Sequence, residues 1–150
     1  MEEQFKNGVL AMAFKINFGT ISFSGIIFNG NEFNQTLIVD DLIYAEEIGF
    51  RPKCCNSVKS VIEHEIGHLL DYKLKISNSP EYKKLMKYYT VNQVKTFLSA
   101  YSVEDNKISN EEVVAEAYAE FCNNPNPGVI AKSIWGLIEK KYMKKYQKCI

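Results

Sequence analysis

The sequence predicts an α+β fold in one domain, residues 1–150: a small antiparallel or mixed sheet at the N-terminus, a central helix, and a mainly helical C-terminal part. Three observations carry this expectation. Residues 10–28 alternate in polarity and are rich in β-branched and aromatic side chains, with Gly19-Thr20 in the middle and Asn29-Gly30 at the end, the pattern of two strands in a hairpin or meander. From residue 57 onward apolar positions recur at helical spacing, punctuated by helix-start signals. A composition of 46% hydrophobic and 13% aromatic residues over 150 positions supports one buried core and excludes general disorder.

Between the sheet and the central helix, Ile38, Leu42, Ala45 and Leu37, Tyr44, Ile48 stand at helical spacing and predict a helix over 36–48. Residues 49–56, with Pro52, form the loop into the helix of 57–74. There, at about 100° per residue, Val58, Val61, Ile62, Ile66, Leu69, Leu70 and Leu74 cover most of the circumference, which describes a buried helix. Gly67 costs such a helix about 1 kcal/mol relative to alanine, so a close neighbour or a substrate is expected against it. Ser79 as N-cap and Pro80 at the first helical position start a short helix to residue 89. Thr90 and Gln93, at capping-box spacing, start a second through Val94, Phe97 and Leu98. Residues 100–109 are polar and read as a loop carrying Tyr101. A helix from about residue 110 runs through EEVVAEAYAEFC until NNPNPG, 123–128, ends it. The last helix, 129–146, is amphipathic through Ile130, Ile134, Leu137, Ile138 and Tyr142.

The formal net charge is zero and the lysines are dispersed, apart from Lys140, Lys141, Lys144, Lys145 and Lys148, which suit the solvated C-terminal end of the last helix. No nucleic-acid partner is expected. No apolar run approaches the roughly 18 residues of a membrane span, and the N-terminal MEEQFKNG is acidic where a secretory signal is basic. No membrane association and a cytoplasmic location are the expectation. Cys54, Cys55, Cys122 and Cys149 lack disulfide-framework spacing and read as reduced thiols.

His64-Glu65-Ile66-Gly67-His68 is an HExxH motif on the central helix. One helical turn apart, His64 and His68 have Cβ atoms about 5–6 Å from each other, so both imidazoles reach one ion, and Glu65 stands beside them as the general base of a metal-assisted hydrolase. Five residues of this type also arise by chance on solvated helix faces. Here, however, they are the only histidines of the chain and lie in an apolar helix, where two imidazoles and a carboxylate without partners would be costly and a cation removes the cost.

A catalytic zinc takes three protein ligands and keeps a position for water. The extension HExxHxxGxxH fails, because Asp71 stands in place of its glycine and Leu74 in place of its last histidine. A distal carboxylate remains, from Glu111, Glu112, Glu116 or Glu120. A ligand followed one turn later by an acid that accepts the other N–H of a ligating histidine is satisfied by Glu112 with Glu116 and equally by Glu116 with Glu120. Ala115 and Ala119 flank the Glu112 edge and would let this helix come close to the motif helix. The rival role for Glu112 is capping, since Ser109-Asn110-Glu111-Glu112 matches a capping box.

GFRPKCCNSVKSVIEHEIGHLLD, then SAYS, then EEVVAEAYAEFCNNPNP together resemble the gluzincin-type metallopeptidase domain of phage minor head or head-morphogenesis proteins, over residues 15–137. HExGHxxD followed by a tyrosine and an E-x-x-A-E-A helix is more distantly similar to the catalytic domain of anthrax lethal factor. The resemblance implies a zincin-like fold with Zn2+ on His64, His68 and Glu112, with Glu116 and Asp71 as supporting acids and Tyr101 as a catalytic residue. The departures are Cys54 where glycine is expected, Val113-Val114 in place of a more aromatic pair, and a longer segment from Tyr101 to Glu112. The expected activity is hydrolysis of peptide bonds in a peptide or protein substrate lying along the edge of the sheet, with Glu65 as base and the Tyr101 hydroxyl supporting the oxyanion. Phage head proteins are the implied partners and the host cytoplasm or the virion the implied location. Two alternatives stand beside it: a zinc-binding structural or interaction module of a phage head with little or no proteolysis, and a metal-free helical domain.

Overall fold

The computed structural model describes residues 9–18, 20–30 and 35–146. The architecture is α+β and mostly helical. Strands β1 (Ala11–Phe18) and β2 (Ile21–Phe28) form an antiparallel hairpin in the register Ala11↔Phe28 to Phe18↔Ile21. The expected turn residue Gly19 lies outside the described residues, as do Lys148 and Cys149. The Asn29 N–H donates to Leu10 O at 2.9 Å, so by alternation the backbone groups of Ala11, Ala13, Lys15 and Asn17 face away from β2. On one face of the hairpin Ala11, Ala13 and Ile26 are covered, whereas Met12, Ile16, Phe23 and Ile27 on the other are exposed.

Helix α1 (Gln35–Glu47) turns Ile38 and Leu42 onto Ala11 and onto Val61 of helix α2 (Val58–Leu74). Ser57 caps α2 in a capping box with Ser60, and Lys75 ends it in the left-handed region at φ 56°. The expected start signals hold for α3 (Pro80–Met86), capped by Ser79 with Pro80 at its start, and for α4 (Val91–Phe97), capped by Thr90 and Gln93. The expected loop of 100–109 contains a further small hairpin, β3 (Val103–Glu104) and β4 (Lys107–Ile108). Asp105 and Asn106 make its two-residue turn at φ 48° and 58°, the positive angles of a tight hairpin turn.

Helices α5 (Asn110–Asn123) and α6 (Val129–Tyr146) complete the chain. The main core joins Val113, Val114 and Ala117 of α5 to Ile130, Ile134 and Ile138 of α6 and to Tyr82, Val94 and Leu74. Helix α2 thus contributes Val61 to the small N-terminal cluster and Leu74 to the main one, and the segment between them belongs to α5. Gly67 explains how close the two helices come. A Cβ there would stand 2.7 Å from Ala115 Cα, so the neighbour expected from the glycine is the backbone of α5.

The burial of α2 is less uniform than its apolar residues predict. Its covered stripe is Ser60, His64, Gly67, His68 and Asp71, facing α5, while Ile62, Ile66, Leu69 and Leu70 are only partly covered. Among the described residues no helix is long and apolar enough to cross a membrane, and Cys54, Cys55 and Cys122 are free thiols.

Candidate metal centre

The polar stripe of α2 meets the Glu112 edge of α5. His64 Nε2 and His68 Nε2 are 3.1 Å apart. Glu112 Oε2 lies 3.3 Å from the first and 3.5 Å from the second. Four ligands placed tetrahedrally at about 2.0–2.1 Å from a zinc ion are about 3.3 Å from one another. The three donor atoms therefore already stand at the spacing of three corners of such a site. Among the described residues this is the group of three His, Cys, Asp or Glu donors able to converge on one ion. Glu112 Oε2 is buried and lacks a hydrogen-bond partner, which is the behaviour of an atom placed for a cation.

The capping role for Glu112 is not realised. Ser109 is the N-cap of α5, but its side chain makes no capping hydrogen bond, and the Glu112 carboxylate turns to the histidines. Glu116, one turn on and almost fully buried, brings Oε1 to 2.6 Å from His64 Nδ1. A carboxylate on Nδ1 directs the Nε2 lone pair at the ion and fixes the ring. Glu120 does not serve the histidines. Its Oε1 accepts the Gly128 N–H at 2.8 Å and the Asn124 side-chain amide at 3.1 Å, closing the turn between α5 and α6.

Burial alone would lower the His64 pKa, but Glu112 and Glu116 outweigh it and raise it to about 9. Burial likewise opposes ionisation of Glu112, yet His64 and His68 hold its carboxyl down at about 2. Without an ion, Glu112 and Glu116 favour the charged form of His64, so the carboxylates attract positive charge where a metal would supply it.

Glu65 is buried, and its Oε2 accepts the Ala13 N–H of β1 at 2.5 Å. That contact ties the motif helix to the outward edge of the hairpin. Tyr101 reaches the site from the segment before β3. Its N–H donates to Phe50 O at 3.0 Å and the Ala100 N–H to Gly49 O at 2.9 Å, which sets its ring edge-on to His64 with centroids 5.6 Å apart. Burial and the carboxylates of Glu112, Glu116 and Glu65 push its hydroxyl up to about 12, so it remains a proton donor.

Asp71 departs from expectation. Its Oδ1 accepts the Ser77 N–H at 2.8 Å and its Oδ2 the Ser77 hydroxyl at 2.6 Å, so it secures the chain after α2 and does not support a histidine. His68 Nδ1 is buried without a hydrogen-bond partner. The competing pull is local, because Ser77 offers two donors six residues on. Two neighbours of the site were missed. Tyr72 stacks on His68, with centroids 6.3 Å apart, and its position one turn after His68 was the available signal. Phe50 packs edge-on against Tyr101 at 5.3 Å, a pairing of distant segments with no signal in the sequence. Compared with family models, with curated proteins and with solved structures, the chain has no significant match in any of the three.

Proposed function

We propose that the protein is a zinc-dependent endopeptidase of the gluzincin type, with His64, His68 and Glu112 as ligands. The observation that carries this reading is the triangle of 3.1, 3.3 and 3.5 Å between two Nε2 atoms and an otherwise unpartnered carboxylate oxygen, with an acid next to the first histidine. Zinc bound there supplies Lewis acidity toward the scissile carbonyl and makes water acidic enough to be deprotonated near neutral pH.

The protein groups do the rest. Glu65 takes one proton from the attacking water as the oxygen adds to the carbonyl carbon. It returns that proton to the amide nitrogen as the C–N bond breaks, and the second water proton passes from the new carboxylic acid to the amine, leaving a carboxylate and an ammonium group. The Tyr101 hydroxyl donates toward the developing oxyanion. Glu116 holds the His64 ring through Nδ1. The free backbone groups of β1 at Lys15 and Asn17 offer an edge for an extended peptide, whereas the Ala13 N–H is already taken by Glu65. The resemblance to head-morphogenesis domains makes phage head proteins the substrates or partners, in the host cytoplasm or in the virion.

A second reading is favoured by that same Glu65 contact. An oxygen occupied by a backbone N–H suits a zinc-binding structural module of a phage head with little proteolysis. A peptide-library digest followed by mass spectrometry, with wild type and Glu65→Gln both at about one zinc per chain, separates the two. Cleavage by wild type and its loss by several orders of magnitude in the variant is the expected result. Equal, negligible cleavage by both supports the structural module.

A further inference from the structure

The partly uncovered apolar side of α2 is matched by a change in the hairpin above it. Near Glu65 the hairpin face toward the helices carries Ala11, Ala13 and Ile26, of which Ala11 and Ile26 pack on Ile38, Leu42 and Val61. Further out the same face carries Lys15, Ser24 and Ser22, which cannot pack on hydrocarbon. Between these polar residues and Ile66, Leu69 and Leu70 lies a cleft of about 390 Å³, a size ordinary for a small ligand and ample for a substrate side chain.

The cleft adjoins the metal centre. Tyr72 lines it and is the residue stacked on His68. Ile66 follows Glu65 directly, and Lys15 is two residues, about 7 Å, along β1 from the Ala13 N–H that Glu65 holds. Its charge is uneven. The acids that raise the Tyr72 pKa, after burial itself, are Glu111, Glu65, Glu112 and Asp71, all toward the Tyr72 wall. The ammonium of Lys73 is drawn away, 5.3 Å over the Tyr146 ring. Lys15, exposed, has no ion-pair partner among the described residues.

We infer that this cleft is a specificity subsite for an acidic substrate side chain, glutamate above all, beside the scissile bond. Its methylene groups rest on Ile66, Leu69 and Leu70, and its carboxylate meets Lys15, with the Ser22 and Ser24 hydroxyls as additional donors. The inference rests on the peptidase reading. A substrate running along the free edge of β1 at Lys15 carries such a side chain over the cleft while its backbone passes the metal.

The test compares peptides that differ only in Glu, Gln or Lys at each position flanking a cleaved bond, using zinc-loaded wild type and Lys15→Glu. At one position wild type should cleave the Glu peptide with a kcat/KM about threefold to tenfold above the Gln peptide, the size of a half-screened ion pair, and the margin should shrink in high salt. Lys15→Glu should reverse the order to Lys over Glu while zinc content and melting temperature stay as in wild type. Equal kcat/KM for all three peptides, or a Glu preference that survives in Lys15→Glu, overturns the subsite. If no peptide is cleaved, the peptidase reading fails by itself. The subsite is then judged by fluorescence anisotropy of the labelled peptides on the zinc-loaded protein, where equal affinity of the Glu and Gln peptides overturns it.

Discussion

Replacing Gly67 by alanine tests whether the approach of α2 to α5 builds the metal centre. The new Cβ would lie 2.7 Å from Ala115 Cα and 3.1 Å from the Ala115 carbonyl oxygen. Carbon atoms settle at about 3.5–4.0 Å, so the helices must part by about 1 Å, and neither contact is a flexible side-chain end that can swing aside. Overpacking of this kind costs about 1–3 kcal/mol, against about 1 kcal/mol recovered from the better helix propensity of alanine. A net loss of up to about 2 kcal/mol should lower the melting temperature by up to about 8 °C in a chain of this size. Glu112 is one turn from Ala115, so its carboxylate moves with α5, while ligand distances tolerate only about 0.2 Å. Zinc affinity should fall about 10–100-fold, the usual effect of misplacing a ligand through its supports. Gly136 of α6 is the control: nothing lies within 4 Å of its Cβ position, so Gly136→Ala should gain up to about 1 kcal/mol. Calorimetry and a competitive zinc titration on both variants suffice. A Gly67→Ala protein that melts at or above wild type and binds zinc equally well would refute the reasoning.

Glu112→Ala should reduce zinc affinity severely, whereas Glu116→Ala should keep zinc with about 10–100-fold weaker binding or activity; titrations at one pH that give the reverse order would exchange the two roles. Because the His64 pKa is raised, to about 9, a proton competes with the metal below that pH and not above it. Apparent zinc affinity should therefore rise about tenfold per pH unit from 7 toward 9 and then level off, with a proton released on binding at pH 7 that calorimetry in buffers of different ionisation enthalpy detects; a flat profile contradicts the assignment. Cys54→Gly should stabilise the protein by about 0.5–1 kcal/mol, because Cys54 holds φ 64°, a left-handed conformation that costs a side chain about 1–2 kcal/mol, partly offset by the entropy of glycine. Thermal melting checks it, and a lower melting temperature goes against it.

Legibility in the sequence follows the range of the forces involved. Local signals held where they were local: the alternation of β1 and β2, the caps Ser79 and Thr90, and Ala115 as the small residue of α5 that admits α2. Cys54, where the resemblance expects glycine, is left-handed, and its N–H donates to Glu46 Oε1 at 2.6 Å. Spacing alone left Glu112 and Glu116 open because both lie on one edge of α5, and what separates them is which atom faces Nε2 and which faces Nδ1. Asp71 was misassigned for a related reason, as its partner Ser77 lies beyond the helix end where periodicity carries no information. The uneven burial of α2 was not legible because hydrophobicity ranks residues one by one, whereas a helix pair can bury a polar stripe when most of its groups find partners.

That stripe shows why the site and the fold belong together. Ser60 is spent in the cap of α2, Asp71 on Ser77, and one oxygen of Glu120 on the turn at Gly128. Glu65 secures the hairpin through Ala13. Between the helices the two Nε2 atoms face each other at 3.1 Å, while among the described residues Glu112 Oε2, Glu116 Oε2 and His68 Nδ1 are buried without a hydrogen-bond partner, at a cost of about 1–3 kcal/mol for each such group. Gly67 and Ala115 bring the two helix backbones together beside these groups. A proton on His64, which the two acids favour, or a cation bound as proposed would neutralise the carboxylates there. The small residues at the helix contact therefore act on the chemistry as directly as the ligands do, because they keep the donors about one tetrahedral edge apart.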